Sequence, residues 1–142
     1  MRNCLLFLLL FSMTGALHAQ LIPEDQVPLL IRRTLARKHP DAQNLEWERA
    51  EPYYEAIFTL NKIHRAIKFD TQGRVAETEA GMPVSKIPAP IVRYMKTHYP
   101  SERIQAAETV TKADGTKSYE IRITGMEVVF DTVGKFLEEE KD

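Results

Sequence analysis

Hydrophobic and polar residues follow two rhythms along this chain, and the two rhythms occur in the same order twice. From Val27 to His39, Val27, Leu30, Ile31, Thr34 and Leu35 recur at three- and four-residue steps, with Arg32, Arg33 and Arg37 between them. That spacing predicts an amphipathic helix. Glu24 and Asp25 stand at its start, where negative charge suits the helix dipole, and Pro40 stops it. Sixty residues on, Ile87, Ile91, Tyr94 and Met95 take the places of Val27, Ile31, Thr34 and Leu35. Pro88 answers Pro28, and Pro100 answers Pro40.

After each proline stop the period changes to two. Asn44–Arg49, Tyr53–Leu60, Ile63–Phe69 and Arg74–Glu79 read as four strands. Arg103–Val110, Ser118–Ile123, Met126–Phe130 and Lys135–Glu140 read as four more. Alternation is clearest where Tyr119, Ile121 and Ile123 interleave with Glu120, Arg122 and Thr124. The Asp114–Gly115 pair inside KADGT signals a tight hairpin.

FDTQG (Phe69–Gly73) and FDTVG (Phe130–Gly134) are nearly the same word, sixty-one residues apart. In each, an aromatic ends a strand. The carboxylate of Asp70 or Asp131 can accept local backbone N–H groups, and Gly73 or Gly134 supplies a left-handed turn residue. A calcium loop would need D-x-N-x-D-G with a distal Glu, which is absent, so these are structural turns.

A helix with four strands covers its apolar surface poorly alone. The expected fold is therefore α+β: two tandem helix-plus-four-strand repeats, about 23–82 and 83–142, forming one eight-stranded antiparallel sheet. Both helices are expected on one face, leaving the other open to water.

The first residues change the picture of where this domain works. One cation, Arg2, precedes an apolar run from Leu5 to Met13 and then small residues, the order of a secretory signal with cleavage after Ala19. The run is shorter than the ~20 residues that span a bilayer. Residues 1–19 are thus expected to be a signal peptide, leaving a single domain, 20–142, in the periplasm or outside the cell with no membrane anchor. Cys4 precedes the apolar run, so it is not placed as a lipidation site. Its loss leaves no cysteine for a disulfide. Without Arg2 the chain has 18 basic and 20 acidic residues. Nucleic acid is not expected as a partner at such a balance.

With the helices, LEW, YYEAIF, IKFDTQGRV, SYEIRI and VVFDTVGKF in place, the sequence resembles the PepSY-like secreted proteins of bacterial envelopes, grouped with the β-lactamase-inhibitor-protein fold. The resemblance runs from about Pro23 to Glu140. It implies one concave, exposed sheet face, which in the inhibitor relatives grips a partner protein, and a role as regulator or inhibitor of an envelope enzyme.

The residues themselves offer no catalytic set. Past the leader there is no cysteine nucleophile, no G-x-S-x-G elbow and no Gly-rich phosphate loop. His39, His64 and His98 show no metal-ligand spacing, and the closing EEEKD reads as a solvated end. No enzyme, cofactor or metal is expected. Strand parity puts Tyr54, Ala56, Phe58, Tyr119, Ile121 and Ile123 beneath the helices. On the opposite face it puts Tyr53, Glu55, Ile57, Glu120 and Arg122, with His64 and Lys68 as polar neighbours. This mixture suits an interface. The expected activity is non-catalytic binding of a protein partner not identified by the sequence; the alternative is a sensor or carrier holding a small molecule or peptide across the concave sheet.

Overall fold

The computed structural model describes residues 20–141, so the expected signal peptide lies outside the described residues. Nine strands and two helices follow one another as β1 (Gln20–Leu21), α1 (Leu29–Lys38), β2 (Gln43–Ala50), β3 (Tyr53–Leu60), β4 (Ile63–Phe69), β5 (Val75–Gly81), α2 (Ala89–His98), β6 (Ala106–Lys112), β7 (Lys117–Ile123), β8 (Met126–Asp131) and β9 (Phe136–Lys141). All nine strands form one antiparallel sheet in sequence order. The expected count of eight is corrected by β1, in which Gln20 and Leu21 pair with Arg49 and Glu48. Two residues carry too little pattern to announce a strand.

Each helix is preceded by a single 3-10 turn, Glu24–Gln26 or Val84–Lys86, so Glu24 and Asp25, expected at the helix start, belong to the turn before it. Pro28 and Pro88 then begin α1 and α2, where a missing N–H costs nothing. Leu30, assigned by periodicity to the apolar face of α1, is 58% exposed; Ile31 and Leu35 are the buried residues of that helix.

The core forms two clusters. Ile31 and Leu35 pack with Trp47, Ala56, Phe58, Ile67 and Phe69, while Ile91 and Met95 pack with Ala107, Ile121, Ile123, Val128 and Phe130. Each fully buried aliphatic or aromatic side chain contributes roughly 1.5–3 kcal/mol. Tyr94 adds an aromatic knot to the second cluster, stacked on Phe136 and edge-on to Phe130.

Backbone bonds recur at a fixed offset. Ile22 donates to Trp47 at 2.9 Å and Met82 to Ala107 at 2.8 Å; His39 donates to Leu35 and Tyr99 to Met95, each at 2.8 Å. The two FDT turns match as well. The Asp70 carboxylate accepts from the N–H of Gln72 and Arg74, and Asp131 accepts from Val133 and Lys135. Gly73 and Gly134 sit at φ +77° and +86°, where a side chain is strained.

Candidate functional site

Cross-strand partners in a sheet share a face. Starting from Glu55 on β3, the register runs to Glu48 on one side and to Lys68 and Glu77 on the other. Starting from Glu120 on β7, it runs to Glu108 on one side and to Val129 and Glu138 on the other. Between these rows lie Ile57, Ala66 and Glu79, which are themselves register partners.

All of these side chains except Glu77 and Glu138 line a hollow of about 450 Å³ on the sheet. Six of the seven interface residues expected from sequence line it: Glu55, Ile57, His64, Lys68, Glu120 and Arg122. Tyr53 does not; it lies at the start of β3, 36% exposed. The hollow also takes in Glu48, Glu79, Glu108, Glu127 and Glu140, which sequence reading did not single out. Parity marked the face, but only the register brings these carboxylates together. The signal that could have found Glu108 is its equivalence to Glu48 at the sixty-residue offset.

The cations are already engaged. Lys68 Nζ donates to Glu77 at 2.6 Å and to Glu79 at 3.3 Å. Arg122 bonds Glu127 at 3.0 Å and lies 3.6 Å from Glu108, whose other carboxylate oxygen is 3.1 Å from His64 Nδ1. Burial opposes the Lys68 charge, but the bond to Glu77 and the nearby Glu79 and Glu55 outweigh it, so its pKa is raised.

Carboxylates remain in excess. Seven of them face Lys68 and Arg122 in the lining, a surplus of five negative charges with His64 neutral and every carboxyl ionised. Oxygens of Glu79, Glu108 and Glu120 all lie within 4.8 Å of one another. Burial, opposed in part by Lys68, pushes Glu55 up to about 7. Burial together with Glu127, Glu79 and Glu77 pushes Glu120 up to about 8. Glu79 is raised too, by burial and by Glu108. Desolvated carboxylates crowded in this way favour a proton or a cation among them.

The remaining sequence candidates lie elsewhere. Asp70, Gly73, Asp131 and Gly134 form turns at the helix side, where a Cβ on Gly134 would meet Pro90 at 2.7 Å. His39 packs against Phe58, and His98 stacks on Tyr94. The acidic end is a strand rather than a loose tail: Glu139 accepts a hydrogen bond from the Tyr99 hydroxyl. A second hollow, about 670 Å³, lies beside α2 and is lined by Ile87, Val92, Met95, Tyr99 and Ile104 among others. Lys96, Glu102 and Arg103 stand in the same lining, and none of the residues expected from sequence at an interface does.

This geometry has known counterparts. The family model described as "Putative beta-lactamase-inhibitor-like, PepSY-like" matches residues 52–138. A solved structure from Bacteroides eggerthii, described among "putative periplasmic proteins", superposes with a TM-score of 0.71 at 16% identity, covering 81% of this chain and 88% of that one. A DUF2874 family protein from Bacteroides uniformis gives 0.69 at 16% identity, covering 80% and 88%. A BLIP-like protein from Bacteroides fragilis gives 0.63 at 18% identity, covering 84% and 87%. Such identities establish a shared fold. No curated protein sequence matches the chain.

Proposed function

The chain belongs to the beta-lactamase-inhibitor-like, PepSY-like family, and from that premise we propose that it is a non-catalytic periplasmic domain whose open sheet face binds a protein partner. Its BLIP-like relative and the relative described as periplasmic support the reading. The single observation that carries it is the concave face itself. There Ile57, Ala66 and Val129 are set among charged side chains, a mixture of apolar ground and polar groups found at protein interfaces.

The same reading takes the molecule as one unit duplicated, about 23–82 and 83–142, with both helices against the face opposite the hollow. The sixty-residue recurrence of backbone bonds supports duplication. The register supports a common helix face, since Trp47, Ala56 and Ile67 continue through Thr78 and Thr111 towards the strand positions of the second core. The partner is an envelope protein, an enzyme restrained by this domain. A carrier of small molecules fits less well, because binding pockets for those are mostly apolar and this hollow is walled by carboxylates.

The test is affinity capture from an envelope extract with the wild type beside a Tyr53→Ala/Ile57→Ala variant whose thermal unfolding stays cooperative. A partner kept by the first and lost by the second supports the reading. A partner held equally by both places the interface elsewhere.

A further inference from the structure

The proposed interface carries information about the chemistry of what it binds. Glu55 is only 9% exposed, yet among the described residues its carboxylate makes no hydrogen bond and no ion pair. Its nearest cation, Lys68, is committed to Glu77 and Glu79. Glu120, half-buried, likewise has no cation as a cross-strand partner: it faces Glu108 directly across β6 and β7, and Val129 stands on its other side. Like charges placed directly opposite across two strands are destabilising, and a buried charge without a partner costs more than the same charge in water. Two such carboxylates open onto one hollow, beside Glu79 and Glu108, whose charges are already met by Lys68 and by Arg122 and His64, and form an acidic basin with two acceptors left over. It stands on a chain whose net formal charge is only −1.

Resting on the protein-partner reading, we infer that the basin receives a lysine or arginine side chain from an extended basic segment of the partner, with Glu55 and Glu120 supplying the unsatisfied acceptors. A cationic side chain brings what the wall lacks: a charge at the end of a long apolar stem. The stem lies against Ile57, Ala66 and Val129, and the charge reaches the carboxylates. A guanidinium can take a carboxylate with two parallel bonds, and an ammonium offers three donors. The basin also selects against acidic segments, which would add like charge to carboxylates already crowded. Charge complementarity thus singles out a basic segment over a neutral or acidic one of the same length.

The experiment uses fluorescein-labelled (Lys-Ser)4, (Gln-Ser)4 and (Glu-Ser)4 peptides, read by anisotropy at low ionic strength against the purified protein. Three forms are compared: the wild type, Glu55→Gln/Glu120→Gln, and Asp25→Asn/Asp41→Asn, which removes the same charge at exposed positions away from the hollow. The lysine peptide is expected to bind the wild type and the distal variant within twofold of one another, and the basin variant at least tenfold more weakly. The other two peptides should not bind. Equal weakening in both variants would mean attraction to net charge and overturn the inference, as would an absence of lysine-peptide binding. Calcium is titrated in parallel; an ion that binds one-to-one and excludes the peptide would reassign Glu79, Glu108 and Glu120 to a metal. If the peptide fails while a captured partner still depends on Tyr53 and Ile57, the basic-segment inference falls and the protein-partner reading stands.

Discussion

In the first half of the sheet, Glu48, Glu55, Lys68 and Glu77 stand side by side across β2 to β5; in the second, the corresponding row from β6 to β9 reads Glu108, Glu120, Val129 and Glu138. The backbone is nearly the same, and the rows differ in one charge, a lysine against a valine. The carboxyl beside the lysine is pushed up to about 7, and the one beside the valine to about 8. The comparison separates what the fold does, which is to desolvate the carboxyl in both halves, from what neighbours do: Lys68 offsets part of that at Glu55, while Glu127 adds to it at Glu120.

The largest break between the halves is expected at the turns that hold the helices. Gly73 and Gly134 share the left-handed backbone, but a methyl at Gly73 would meet Cγ and Cδ2 of the flexible Leu30 side chain at 3.1 and 3.3 Å, while one at Gly134 would meet the rigid Pro90 ring at 2.7 Å. Gly73→Ala should cost about 1–2 kcal/mol from backbone strain. Gly134→Ala should cost about 2–4 kcal/mol, since overpacking adds to the strain. Urea unfolding of the two variants measures the difference, and equal costs would show that Pro90 yields as easily as Leu30.

Next comes the lysine itself. Lys68→Met makes the first row resemble the second and leaves Glu77 and Glu79 without their cation. The expected loss is about 2 kcal/mol at pH 7, less than for a fully buried pair because water reaches Lys68 and Glu79 can take up a proton. The same denaturation measured at pH 5 should show a smaller deficit, because Glu79, whose pKa is raised by burial, is then closer to protonation.

The pH dependence of the wild type tests both rows at once. A carboxyl whose folded pKa lies above its unfolded value of 4.5 binds more protons folded than unfolded, so stability falls as pH rises from there through the folded value. Glu55, Glu120 and Glu79 all act in that direction. His39, lowered from 6.5 by burial and by Arg65, acts oppositely and weakens the fold as pH drops below 6.5. Lys68, raised, remains charged throughout. The three carboxyls prevail, so between pH 6 and pH 8.5 the protein should lose on the order of 1–2 kcal/mol after discounting for solvent screening. Glu55→Gln/Glu120→Gln should flatten the profile of thermal midpoints, and a flat wild-type profile would show that water already neutralises the basin.

These contrasts also locate what the residues disclosed on their own. Helix faces and strand parity rest on periods within a few residues, so Ile31, Ile91, the strand segments and the common sheet face of Glu55 and Glu120 were legible before any coordinates. The nine-membered sheet was not, because Gln20–Leu21 becomes a strand only by pairing with β2. Nor was the basin. Glu79, Glu108 and Glu120 approach within 4.8 Å through pairings between β4, β5, β6 and β7, and the register of those pairings depends on loop lengths and on bulges such as that between Lys68 and Phe69. Leu30 misled for a related reason. It fits the helical stripe by spacing, but it faces the Gly73 turn at the rim rather than the core.

The smallest expected effect is the sharpest test of the comparison, because it restores a residue instead of removing one. Val129→Lys writes the first row into the second, placing a cation between Glu120 and Glu138, its partners across the sheet. At pH 8 wild-type Glu120 is close to half ionised, and the new lysine should lower its pKa, as Lys68 does for Glu55. A gain of about 1 kcal/mol is expected, roughly 3–5 °C in thermal midpoint for a domain of this size. At pH 5 the wild-type Glu120 carries its proton, so the lysine has little to neutralise there and the gain should largely vanish. The same lysine would occupy the place kept for the partner's cation, so binding of the (Lys-Ser)4 peptide should weaken while the fold grows more stable. A variant stabilised equally at both pH values would tie the benefit to packing rather than to Glu120. One that gains stability at pH 8 and still binds the peptide unchanged would separate the charge imbalance of the second row from recognition.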